Sequence, residues 1–250
     1  MRLDELVTYL DEYLRVREVP DATHALNGLQ VANGGEVTRI AAAVDLCEAT
    51  VQLAAAQGAD LLLVHHGLFW GGLRPLVGPG YRRVAGLLRH NIALYGAHLP
   101  LDRHPDVGNN AVLARALGLA VRGEFGEAYG APAGVWGELH LERAGLQQRL
   151  ADVLGVIPRL MPFGLGDVRR VGIVTGAGGS MIAQAAAAGL DTYITGEGPH
   201  HTFFDAEELG LNVFYAGHYA TETVGVKALA EHLSLKFRLP WTFLDHPTGL

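Results

Sequence analysis

The chain has 250 residues, among them 33 Gly and a single Cys, with 49% hydrophobic and 18% charged residues. The lone Cys47 excludes an intramolecular disulfide framework and points to a cytoplasmic protein, and a formal net charge of −7 argues against nonspecific nucleic-acid binding. The length fits one large domain or two small ones, and twelve His residues are the compositional oddity.

In chain order, Leu3, Leu6, Val7, Leu10 and Leu14 stand at helical spacing with acids between them. This predicts an amphipathic surface helix without the apolar centre or cleavage site of a signal peptide. Residues 40–44 read as a buried strand, 48–57 as a helix stopped by Gly58-Ala-Asp60, and 61–64 as a second buried strand that delivers His65 and His66 at its end. The apolar run 91–97 predicts a strand ending at His98, with Asp102 four residues on and a helix over 109–117. Segment 121–168, with Trp136, a helix over 146–154 and Pro158, reads as a compact connector. Then come a strand over 171–174, a Gly-rich loop, a helix over 181–188 stopped by Gly189-Leu-Asp191, and a strand over 192–195 that delivers Gly196 and Glu197. A strand over 212–215 precedes His218, and a helix over 223–233 follows. The uncharged stretch 171–190 matches a membrane span of about 20 residues in length, but Gly172, Gly176, Gly178 and Gly179 break it, which argues against a membrane protein.

The two β-α-β runs look like a diverged repeat. The similarity continues past them into a short apolar strand that ends in a His followed four residues later by an acid, Asp102 after His98 and Glu222 after His218. The expected fold is α/β, with two similar lobes of largely parallel strands related by a pseudo-twofold. One folded unit spans 1–250, with lobe one over about 1–120, the connector over 121–168 and lobe two over about 169–250.

In open α/β sheets ligands bind beyond the carboxyl ends of strands, where these polar motifs fall. Adjacent residues on a strand point to opposite faces, so His65 and His66 are placed to reach two neighbouring ions rather than to share one. His218 and Glu222 lie one turn apart if Thr221 starts the following helix, whereas Pro100 breaks a helix between His98 and Asp102 and sends Asp102 to the site from a loop. Three imidazoles and two carboxylates suit two ions about 3.5–4 Å apart, of zinc, iron, manganese or nickel rather than calcium or magnesium. Thr175-Gly-Ala-Gly-Gly-Ser180 has no Walker Lys and reads more readily as a tight packing turn than as a phosphate cradle.

With these residues in view, Val64-His-His-Gly-Leu-Phe-Trp70, Ala97-His-Leu-Pro-Leu-Asp102, Ile194-Thr-Gly-Glu197 with His200-His201, and Gly217-His-Tyr-Ala-Thr-Glu222 together resemble the Nif-three-like dinuclear-metal family, also called GTP cyclohydrolase 1 type 2. Asn27-Gly-Leu-Gln-Val31 is similar to its N-terminal signature, and the chain resembles the short form without an inserted middle domain. The resemblance implies a dinuclear metal site in the cleft between two lobes, a homohexamer, and His65, His66, Asp102, His218 and Glu222 as the metal ligands. It makes His98, Glu197 and His201 catalytic or substrate-contact candidates. Gly67 stands where the family usually has Pro, and Leu99 where it often has Thr.

The expected function is a divalent-metal-dependent hydrolase acting on a nucleotide or purine-like small molecule, with GTP ring opening as the reaction that the resemblance implies. The alternatives are a metal-dependent phosphoesterase on another substrate and a non-catalytic metal-binding adaptor protein.

Overall fold

A computed structural model describes residues 1–69, 72 and 74–250, so Trp70 of the paired-His motif lies outside the described residues. In chain order the elements are α1 (Leu3–Tyr13), β1 (Gly28–Val31), β2 (Ile40–Asp45), α2 (Glu48–Ala56), β3 (Leu61–His66), α3 (Gly78–Arg89), β4 (Ala93–Gly96) and α4 (Leu99–Asp102). They continue with α5 (Asn109–Ala116), β5 (Ala120–Ala128), β6 (Ala131–Glu142), α6 (Arg143–Leu154), β7 (Arg159–Pro162) and β8 (Asp167–Val174). A 3₁₀ turn at Gly178–Met181 leads into α7 (Ile182–Ala187), β9 (Thr192–Thr195), α8 (Thr202–Leu209), β10 (Asn212–Tyr215), α9 (His218–Phe237) and β11 (Trp241–Phe243). The chain divides into two compact units, residues 1–108 with 225–246 and residues 109–224 with 247–250.

The first unit holds a five-stranded sheet of order β1-β4-β3-β2-β11, antiparallel at β1 and parallel elsewhere. Its strands are apolar on both faces, as a sheet covered on both sides requires. Ala41, Ala43, Leu62, Val64 and Leu94 pack in one core with Val51 and Ala54 of α2 and Leu87 of α3. The alternate residues Ile40, Ala42, Leu61, Leu63 and Tyr95 are buried as well, together with Leu6 and Leu10 of α1.

The second unit holds a six-stranded mixed sheet of order β5-β6-β8-β9-β10-β7. Val171, Ile173, Ile194 and Phe214 join Leu113 of α5 with Leu146 and Leu150 of α6. Val174, Tyr193 and Val213 join Ile182 and Ala185 of α7 and Ala206 of α8. The period-two switch between Tyr193 and Ile194, and between Val213 and Phe214, divides the strands between two cores. Both sheets are therefore mixed, and each contains three neighbouring parallel strands in sequence order, β2-β3-β4 in the first, where β11 adds a fourth, and β8-β9-β10 in the second.

The structure differs from the sequence reading in four places. The segment read as a connector forms β5, β6, α6 and β7 of the second sheet, with β5 and β6 paired antiparallel. Asp102 lies on a short helix, not in a loop, because Pro100 falls in the first turn, where its missing N–H costs nothing. The final helix begins at His218 rather than at 221–223. Residues 178–181 form a 3₁₀ turn before a shorter α7.

Candidate metal centre

In the first unit, β2 and β3 run parallel with Asp45 opposite His66. His65 is buried, and its Nδ1 lies 2.9 Å from the carbonyl oxygen of Ala97. A carbonyl only accepts, so Nδ1 carries the proton of the neutral ring and Nε2 carries the lone pair. The same logic holds for His66, whose Nδ1 lies 2.8 Å from Oδ1 of Asp45, and for His98, whose Nδ1 lies 2.8 Å from Oδ1 of Asp21. The rings of His65 and His66 lie 4.6 Å apart between centroids, and those of His65 and His98 4.9 Å apart. Each of the three offers a nitrogen within 4.8 Å of the others. Asp102 joins them, with Oδ2 3.6 Å from Nε2 of His65.

Asp21 anchors this cluster from the segment before β1. Its carboxylate accepts from Asn27 Nδ2 at 2.8 Å, the Ala22 amide at 2.6 Å and the Leu99 amide at 3.1 Å, besides His98. Burial pushes the Asp21 carboxyl up, but its hydrogen bond with His98 and the other donors outweigh this and hold it below the usual range. For His98 burial dominates and holds the ring below its ordinary value, against the bond to Asp21.

Gly67, after the paired His, has a packing reason. A Cβ there would overlap the Gln30 side-chain amide, whose Oε1 accepts from the Leu68 amide at 2.7 Å. The Asn27–Val31 signature thus supports the strand end through Asn27 and Gln30.

In the second unit His218 opens α9, which puts Glu222 on the same helical face one turn later. His218 Nε2 lies 3.1 Å from Glu222 Oε1, and its Nδ1 lies 2.6 Å from Glu197 Oε1. The hydrogen bond with Glu222, that residue's charge and then Glu197 raise the His218 pKa to about 9 against the opposing effect of burial. Gly176, at φ +69°, passes beside this pair, and a Cβ on it would overlap Glu222 Oε1. The amides of Thr175, Gly176, Gly178 and Gly179 donate to Asn110, Thr221, Thr195 and the Glu197 carbonyl respectively. Four amides of the Gly-rich loop are thus spent inside the fold, as in a packing turn.

The structure therefore brings His65, His66, His98 and Asp102 together in the first unit, and His218, Glu222 and Glu197 in the second. His201 stands exposed at the start of α8, and among the described residues no hydrogen bond joins it to Glu197 or His218. The sequence reading passed over Asp45 and Asp21. Asp45 ends a strand beside His66, a signal the strand-end rule would have caught, whereas Asp21 has no periodic signature.

The two units thus define an α/β protein with His and carboxylate groups that can hold a metal ion. The family model Duf34/NIF3 (NGG1p interacting factor 3) matches residues 1–248. The chain belongs to this family. It is 49% identical to the "GTP cyclohydrolase 1 type 2 homolog" of Deinococcus radiodurans, covering 99% of this chain and 94% of the relative. It is 41% identical to the Escherichia coli K12 protein of the same name, covering 99% of each. The crystal structure of TTHA1606 from Thermus thermophilus matches with a TM-score of 0.91 and 45% identity over 100% of both chains.

Proposed function

We propose that this protein is a divalent-metal-dependent hydrolase acting on a nucleotide or purine-like substrate. It holds two ions per chain, of zinc, iron, manganese or nickel, through His65, His66, Asp102, His218 and Glu222. The observation that carries this reading is the cluster of three imidazoles in the first unit, each with Nδ1 against an acceptor and Nε2 as a lone-pair donor, beside the Asp102 carboxylate. Neutral imidazole with carboxylate is a donor set for divalent transition-metal ions rather than for calcium or magnesium.

Divalent ions supply Lewis acidity and activate water at such sites. The chain's own groups do the rest. His98, held by Asp21, presents Nε2 as a proton acceptor or substrate contact, and Glu197 and His201 are further candidates for proton transfer or substrate binding. The relatives' name supports GTP as the first substrate to test. A cytoplasmic homohexamer without membrane association completes the reading; among the described residues no helix is long and apolar enough to cross a membrane.

The test incubates the full chain, loaded in turn with zinc, iron and manganese, with GTP and follows formate. Formate release that disappears in an Asp102→Ala/Glu222→Ala double variant supports the assignment. No formate with any metal across several pH values overturns the substrate, and inorganic phosphate without formate identifies phosphoester hydrolysis instead.

A further inference from the structure

We propose that Asp45 is the positioning residue of His66: it holds the imidazole in the Nδ1–H tautomer and so presents the Nε2 lone pair to the metal. This inference rests on the metal-centre reading above.

Three observations carry it. First, β2 and β3 place Asp45 and His66 opposite each other in parallel register at their strand ends, and Asp45 Oδ1 lies 2.8 Å from His66 Nδ1. A carboxylate accepts only, so this contact decides which ring nitrogen carries the proton. Second, the Asp45 side chain is 38% exposed, and among the described residues its carboxylate bonds His66 alone. An exposed carboxylate with one partner adds little to fold stability, so the core gives no reason for an acid here. Third, the second unit repeats the arrangement with different residues, Glu197 Oε1 standing 2.6 Å from His218 Nδ1. In the first unit the His ends the middle strand and the acid its neighbour; in the second the acid follows the middle strand and the His opens a helix. The same contact reached by two routes reflects a chemical requirement, since a carboxylate on the distal nitrogen of a ligating His fixes the ring and raises its basicity.

The experiment uses the full chain with metal removed, as wild type, Asp45→Ala and Asp45→Asn, with thermal unfolding of the metal-free proteins as the control for folding. Long-range ¹⁵N–¹H NMR reads the His66 tautomer, and titration with Zn²⁺ and Mn²⁺ reads affinity. In wild type His66 carries its proton on Nδ1. Asp45→Ala is expected to give a mixture of tautomers and about 10–100-fold weaker metal binding. Asp45→Asn, which keeps an acceptor oxygen, should restore the tautomer and part of the affinity. An Asp45→Ala variant that retains the Nδ1–H form, or binds both metals within twofold of wild type, overturns the proposal. If wild type binds neither metal, the metal-centre reading fails and, with it, the metal role given to Asp45, while the tautomer comparison still shows whether Asp45 positions the ring.

Discussion

Glu222 Oε1 stands 3.1 Å from His218 Nε2, one turn along the same helix, so the metal-free protein holds a proton on a ring that also faces Glu197. The His218 pKa, raised from the usual 6.5 to about 9, sets the sign of the pH dependence. Stabilisation from this cluster is fully present below the unfolded value and is lost as pH rises through about 9. It amounts to about 2 kcal/mol after solvent screening. Metal-free protein should therefore lose stability between about pH 6.5 and 9, as read by denaturant unfolding, and Glu222→Gln should flatten that profile. On the proposed ligand set metal competes with this proton, so apparent Zn²⁺ affinity should rise about tenfold per pH unit from pH 7 to 9. A flat affinity profile would remove His218 from the ligands.

Glu222 and Asp102 are both buried, at 3% and 7% exposure. Removing the charge of Asp102 takes it from beside His65, and removing that of Glu222 takes one of the two carboxylates that face His218. Elemental analysis of purified wild type should find close to two metals per chain on the proposed reading, and Glu222→Gln should fall to about one or fewer. Full retention of metal by that variant would refute the ligand set.

Gly176 is the narrowest point beside the second-unit pair. A Cβ there overlaps Glu222 Oε1, and the φ of +69° is strained for any L side chain. Gly176→Ala should cost about 1–2 kcal/mol from backbone conformation alone. It should also displace the Glu222 carboxylate, so metal affinity falls further than the stability loss explains. Equal metal binding in this variant would show that Glu222 can move without consequence.

Much of the fold was legible because its central strands are buried on both faces, and runs such as 40–44, 61–64 and 192–195 carry a local apolar signal that survives without partners. β5 and β6 were not legible. Phe125 is the only buried residue of β5, and the pairing of 120–128 with 131–138 joins Gly-rich, half-exposed strands. The strand-end rule selects His65, His66, Asp102, His218 and Glu222 as candidates because it needs only order along the chain. Asp45 also ends a strand and so falls under the same rule, but its pairing with His66 depends on the neighbouring strand's register. The two H-x-x-x-acid motifs also differ in a way spacing hides. Ala93 and Asn212 hold matching register positions, yet His98 follows the first by five residues and His218 follows the second by six. His98 is therefore an N-cap, while His218 is the first residue of its helix.

Two acids make matching contacts in the two β-α-β runs. Asp60 accepts from the amides of Thr38 and Arg39 at 2.9 and 3.1 Å, and Asp191 accepts from the amides of Arg169 and Arg170 at 3.1 and 2.8 Å. Each also takes a Thr hydroxyl, from Thr38 at 2.6 Å and from Thr192 at 2.8 Å. Each acid follows the helix of a β-α-β run and clamps the strand before that helix, just ahead of Ile40 in the first run and at Arg169 and Arg170 within β8 in the second, so both should act on stability and not on metal binding. Hydrogen bonds to a charged acceptor contribute about 1.5–3 kcal/mol each when both partners are fixed, and less at half-exposed positions such as these. Asp60→Ala and Asp191→Ala should each destabilise the chain by about 1–3 kcal/mol in denaturant unfolding, with metal stoichiometry unchanged. Asp→Asn at either position should recover part of that loss, because the amide oxygen still accepts one backbone N–H. A change in metal content with stability intact would reverse the assignment and make these acids part of the site rather than of its scaffold.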